Sequence, residues 1–355
     1  MKIKDIELFN ISRFRAEHMG MAMLFVILFH VFLPRYDDFY GLRRMGNLGV
    51  DIFLFLSGIG LWFSWSKTEP PVGSQANGLC LPRGSSLCWF LGEYLRFYGR
   101  RLLRIYPTWL IIACCYFIPR FHPTTTWHWI DFFGEVLFNW EFWIRDELAF
   151  WYIPATMMLY LFAPPYMELI RRHPIYHWLV AVMVMWCVLV QYVTPIHQAV
   201  GHIEIFWSRV PIFFLGINMG EAVRRRDTLD GQSIWMIWIA FLMTLGTGIW
   251  LEQELHGRFP LFLERMLYIP LTVTTVLLLN RVFRRTPRWF NATVAWFGGL
   301  SLEAYLIHLV FVLKWLTPMK LGYWPTFLLT VAVTMPLAWL LQKAVGKATK
   351  MVFKR

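Results

Sequence analysis

The feature that most restricts this chain is a succession of long apolar runs. A helix needs about 20 largely apolar residues to cross a bilayer, because hydrocarbon offers no partner to a free backbone amide. Ten such stretches follow one another, over residues 16–33, 47–66, 97–118, 149–170, 176–193, 207–223, 233–251, 265–283, 294–316 and 325–345. None shows the ten-residue alternation of a transmembrane barrel strand. Only 16% of residues are charged and 57% are apolar, whereas a soluble domain carries about 25% charged residues to cover its surface. The chain therefore reads as an all-α, polytopic helical membrane protein of about ten transmembrane helices, solvated by the lipid bilayer.

The net charge of +12 raises the question of a nucleic-acid partner, and its distribution answers it. With alternating spans and the N-terminus inside, about 24 of the 34 basic residues fall on the inner side, as the positive-inside rule requires. The excess marks topology, so no nucleic acid is expected, and both termini are read as inside (N-in/C-in). An eleventh stretch, 129–143, is shorter and carries Asp131, Glu135 and Glu141. Counting it as a span would put the Arg224–Arg226 run outside, so it reads as an interfacial or re-entrant helix. The inner segment 67–96, rich in Gly, Pro and Ser, reads as a flexible loop. Residues 1–355 read as a single membrane domain, and no cleavable signal peptide is expected. The cysteines and histidines match no disulfide framework and no metal-ligand spacing, so no metal is expected.

Ionisable groups inside spans are costly and point to function. His30 lies near the outer end of the first span and Asp51 near the outer start of the second, about 5–8 Å below the surface at 1.5 Å per residue. A carboxylate beside an imidazole fixes the tautomer a general base needs. The same pair can equally serve only to join two helices, or Asp51 to cap its own. Glu303 and His308 lie deeper on the ninth span, and their i, i+5 spacing does not share a face squarely. Glu303 has either an arginine or a neighbouring helix as its expected partner. Arg101 and Arg104, at i, i+3 on the inner entrance to the third span, present two guanidinium forks suited to phosphate oxygens. Basic residues there also serve as ordinary membrane anchors.

Several segments in order along the chain resemble the acyltransferase-3 family of integral membrane acyltransferases. Gly20–His30 resembles its first helix ending in histidine, and Gly49–Gly58 (GVDIFLFLSG) resembles its most specific signature. Arg100–Pro107 (RRLLRIYP), Phe150–Pro154 (FWYIP), Arg209–Gly216 (RVPIFFLG) and Leu300–His308 with its Tyr305-Leu306-Ile307-His308 element are similar to its later blocks. Many members have an arginine eleven residues before the histidine. Here that position is Met19, and Arg15, one turn earlier, is the candidate to stand in for it. An esterase-like domain fused in some members is expected to be absent, so acyl hand-off of that kind would need a separate extracytoplasmic acyl-accepting partner.

The resemblance implies an enzyme of the bacterial cytoplasmic membrane. It would take an acyl group, usually acetyl, from cytosolic acyl-CoA (acetyl-CoA as donor substrate, no permanently bound cofactor) to a hydroxyl of an extracytoplasmic carbohydrate, the polysaccharide modification typical of the family. Arg101 and Arg104 would hold the CoA phosphates. His30 would act as general base or transiently carry the acyl group, with Asp51 orienting it. Arg209, starting its span at the outer face, would contact the acceptor or stabilise charge, with Glu303, Tyr305 and His308 in supporting roles. Intramembrane His and Asp would also suit a secondary transporter or exporter of a polysaccharide or small solute, although no inverted repeat is visible. A relative that binds without catalysing is the third alternative.

Overall fold

The computed structural model describes residues 6–67, 85–145 and 147–352. Its principal helices are α1 (Arg15–His30), α2 (Leu48–Trp65), α3 (Ser85–Phe117), α4 (Thr126–Phe138), α5 (Tyr152–Arg172) and α6 (Leu179–Tyr192). They continue as α7 (Val210–Arg225), α8 (Gly231–Glu254), α9 (Tyr268–Arg285), α10 (Arg288–Gly299), α11 (Ser301–Ile307) and α12 (Tyr323–Val352). The protein is thus an all-α, multi-pass membrane protein. Two short strands, Ile6–Glu7 and Thr228–Leu229, pair antiparallel with Ile6 opposite Leu229, tying the N-terminal segment to the turn between α7 and α8.

Among the described residues, seven helical stretches are long and apolar enough to cross a bilayer. There are eight when the bent pair Thr194–Trp207 and Val210–Arg225 counts as one span. Eight of the ten expected stretches thus have a counterpart; the other two are α1 and α5. With 16 residues, α1 rises only about 24 Å. The longer α5 ends on Glu168, Arg171 and Arg172 and contains Pro164 and Pro165.

Other boundaries also move. The expected span 294–316 breaks at Leu300, where a glycine pair and a serine weaken the helix. The crossing stretch is Ser301–Met319, and α10 is a separate helix, Arg288–Gly299, outside it. Of the expected loop 67–96, residues 68–84 lie outside the described residues, and from Ser85 onward the chain is already helical. The expected interfacial helix 129–143 forms as α4 and a short turn Glu141–Arg145, separated by Asn139 in the left-handed conformation at φ 46°.

α2 is the axis of the bundle. Its sequence is apolar all round, which fits a helix buried on every side, and 83% of the most apolar window of Tyr40–Trp65 is buried inside the protein. For α6 and α8 the corresponding shares are 11% and 17%, so those helices face lipid. Close approach is bought by small residues, as is usual where lipid supplies no driving force between helices. A Cβ on Gly58 would overlap the Phe213 carbonyl of α7, and one on Gly216 would overlap the Phe55 carbonyl of α2. Gly20 of α1 and Gly298 of α10 make a second reciprocal contact, against the backbones of Val294 and Ala16.

Candidate active site

α1 carries Arg15 as its first residue and His30 as its last, about 22 Å apart along the axis. Each end belongs to a separate polar constellation, and the remaining elements of the site assemble around them.

At the Arg15 end, a cavity of about 160 Å³ lies among α1, α2, α3, α5 and α11. Arg15, Arg101 and Arg104 line it, together with Tyr152, Tyr160 and Tyr305. The two expected arginines are therefore brought together, and Arg15 joins them; Met19 lines the same cavity. Arg15 Nε is buried without a hydrogen-bond partner. None of the three arginines forms an ion pair among the described residues. Three guanidinium groups crowding one small cavity repel one another unless an anion enters, and their forks suit phosphate oxygens.

At the other end, His30 meets His308. His308 Nε2 lies 3.3 Å from His30 Nδ1, with ring centroids 4.9 Å apart. The backbone partners assign the protons. His308 Nδ1 lies 2.8 Å from the Tyr305 carbonyl and 3.1 Å from that of Ala304, so it carries hydrogen and Nε2 accepts. His30 Nδ1 lies 2.8 Å from the Val26 carbonyl, so it donates to that oxygen and to His308. This leaves His30 Nε2 as the unprotonated nitrogen, the state a general base requires. Local backbone geometry makes the arrangement possible: His308 opens a π-helical turn, His308–Leu313, immediately after α11, and such turns widen a helix and re-aim side chains. Tyr305 lies one turn before His308 and reaches back to the arginine cavity, where its hydroxyl accepts from the Tyr152 amide at 3.3 Å.

The expected pairing of His30 with Asp51 does not form. Asp51 faces Arg209 instead, with Oδ1 3.9 Å from Arg209 Nε. Arg209 donates to Asn47 Oδ1 at 3.1 Å, to Ser208 Oγ at 3.1 Å and to the Ile205 carbonyl at 3.2 Å, and it packs over Trp151. The cause is helix rotation: Asp51 sits on the face of α2 that packs against α7, not on the face toward the end of α1. Glu303 accepts a long hydrogen bond, 3.5 Å, from Gln342 of the neighbouring helix α12, and forms no ion pair among the described residues.

The structure also reveals buried charges near Asp51 that sequence reasoning missed. Arg265 approaches Glu204 at 3.9 Å, and Glu252 pairs with Arg44 at 2.9 Å and with His256 at 2.6 Å. Their signal in the sequence was weak, because each lies at the edge of an apolar run, where a charged residue ordinarily reaches water.

A helical membrane bundle with an anion-seeking cavity at one end and a histidine base at the other has the parts of a group-transferring enzyme. The comparison with protein families assigns the class: the acyltransferase-3 model, an acyltransferase domain, matches residues 20–343. The chain belongs to this family, and it is a membrane acyltransferase. No curated relative and no solved structure matches it.

Proposed function

We propose that this protein moves an acyl group, acetyl in the first instance, from cytosolic acyl-CoA to a hydroxyl of an extracytoplasmic carbohydrate, in the cytoplasmic membrane of a bacterium. One observation carries the reading. Arg15, Arg101 and Arg104 line a single cavity that Tyr305, one helical turn before His308 of the His30–His308 pair, also lines. The arginines suit the phosphates of CoA, and the extended pantetheine arm suits the distance to the histidines. Acyl-CoA is a substrate here, not a resident group.

In this mechanism the acceptor hydroxyl approaches His30 Nε2, which removes its proton as the oxygen attacks the thioester carbonyl. The C–S bond then breaks, and the imidazolium returns the proton to the departing CoA thiolate. Ester and free CoA are the products. The Val26 carbonyl and His308 both take the His30 Nδ1 hydrogen, and His308 fixes the orientation of the ring, so it is a positioning residue. Asp51 and Arg209 stabilise the packing of α2 against α7 beside the site.

Purified protein given radiolabelled acetyl-CoA and a glycan extract tests the reading. Label should appear on glycan, and His30→Ala should abolish transfer while leaving the protein monodisperse. Arg101→Gln and Arg104→Gln should each raise KM for acetyl-CoA about tenfold, equivalent to about 1.4 kcal/mol, with little change in kcat. Solute flux in vesicles without transfer of label would make the protein a transporter and overturn the reading.

A further inference from the structure

A second and larger cavity, of about 480 Å³, lies beside the last turns of α1 on the His30 side. It shares no lining residue with the arginine cavity. Its walls are mainly apolar: Phe25 and Leu28 of α1, Phe241 and Leu245 of α8, and Trp324 of α12. The cavity is elongated. Leu33, Tyr323 and Trp324 stand at the helix ends, whereas Phe241 is thirteen residues from the end of α8, about 20 Å deep at helical rise. It is bounded by α8, which faces lipid along most of its length. Its volume lies within the range of small-molecule sites, about 300–1,000 Å³.

Two lining side chains keep polar atoms without a partner. Thr275, 6% exposed, has a buried hydroxyl that bonds to nothing, although Thr272 and Thr274 on the same helix donate to the carbonyls four residues back. Arg43 donates through Nη2 to the Phe29 carbonyl, next to His30, and its Nε is buried and unpartnered. Arg43 forms no ion pair among the described residues. Asp37 also lines the cavity, but its Oδ1 is taken by the Phe39 amide. Both unpartnered atoms are donors, one of them cationic.

A slot that is apolar along its length, bounded by a lipid-facing helix, and ending next to the base at a guanidinium that has no carboxylate partner and keeps its Nε unbonded has the features of an amphiphile site. We infer that the acceptor is lipid-anchored: its hydrocarbon tail occupies this cavity and its phosphate meets Arg43, which brings the attached hydroxyl-bearing head to His30. The inference rests on the acceptor side of the proposed function. The donor's acyl chain is a poor occupant, because it arrives through the other cavity.

The test uses the full chain in phosphatidylethanolamine–phosphatidylglycerol nanodiscs and dodecyl phosphate carrying a photoreactive diazirine on its tail. Cross-links should concentrate on residues 25–48, 241–245 and 323–324. Unlabelled dodecyl phosphate should compete at least tenfold better than dodecanol. Leu245→Trp and Leu33→Trp, which fill the slot at two depths, should each reduce labelling about tenfold, and Arg43→Gln should remove the preference for phosphate. Labelling spread evenly over the lipid-facing helices, labelling unaffected by both filling variants, or equal competition by phosphatidylglycerol would overturn the proposal; the last result would make this an ordinary structural-lipid site. Acetyl-CoA binding in the same discs separates the two readings. Arg101→Gln should weaken it without changing the photolabel, so failure of the donor reading leaves the tail site standing, and the reverse.

Discussion

His308 has one ring nitrogen free to accept, and His30 is the group that reaches it. Because two backbone carbonyls hold the proton on His308 Nδ1, the pair is fixed with His30 Nε2 bare. His308→Phe keeps an aromatic ring in the space and removes only the acceptor. It should lower kcat about 10- to 100-fold through loss of the fixed ring orientation, the Val26 carbonyl still holding the tautomer, with KM for acetyl-CoA unchanged; steady-state kinetics on the purified variant would show it. A purely structural His308 would instead alter thermal stability and leave the kcat of the folded fraction intact. The sequence made His30 visible, because an imidazole near the end of an apolar run is costly wherever it points. It could not show that His308 is the partner. That contact depends on a π turn, and no spacing rule announces one in an apolar segment. Asp51 misled for a related reason: its depth in the membrane was legible, but its rotation about the axis of α2 was not.

Elements add constraints that single residues do not. The contact of α2 with α7 brings Asp51 against Arg209, and it depends on Gly58 and Gly216, where each helix runs against the other's backbone. Gly216→Val must force the helices apart and should cost roughly 1–3 kcal/mol or more, as overpacking does. The check is a lower melting temperature together with acetyl transfer reduced beyond the loss of folded protein. α4 carries a different signal. Glu135 accepts the Glu141 amide at 2.7 Å, yet burial, with repulsion from Glu141, Glu147 and Asp131, pushes its carboxyl up to about 7 from 4.5. A carboxyl raised on folding binds its proton more tightly in the folded state, so stability falls as pH rises from about 4.5 to 7, and the penalty is complete above that range. Glu135→Gln keeps the acceptor and removes the penalty. It should melt higher than the native protein at pH 8 by the equivalent of roughly 1–2 kcal/mol, a figure discounted for partial contact with water, and at the same temperature at pH 4.5. Thermal scans at the two pH values decide it. The break between α10 and α11 shows why some elements were not legible. The run 294–316 is apolar enough to read as one span, and only a glycine pair inside it hints that the helix breaks.

For the molecule as a whole, the two short strands fix a parity. Ile6 pairs with Leu229, and paired strands cannot lie on opposite sides of a bilayer, so the chain crosses an even number of times between them. With α1, α2, α3, α5, α6 and α7 all crossing, as the sequence leads one to expect, the number would be six, and without α1 and α5 it would be four; both are even, whereas adding α4 to either would make it odd and require hydrogen bonding across the membrane. The same parity places the start of α8 on the N-terminal side. Four further crossings, through α8, α9, Ser301–Met319 and α12, would bring the end of α12 back to it. The start of α8 on the N-terminal side is the placement that the positive residues of Arg224–Arg226 favour. The proposed direction of transfer follows this frame: Arg15 is at the N-terminal end of α1, in one cavity with Arg101 and Arg104, and His30 is at its opposite end. In a variant with all native cysteines replaced by serine, cysteine introduced at Asp37 should react with a membrane-impermeant maleimide in intact cells. Cysteine introduced at Thr286, at the end of α9, should react only after lysis. The reverse pattern would invert the molecule, putting the arginine cavity where no CoA is found, and the direction of acyl transfer proposed here would fall with it.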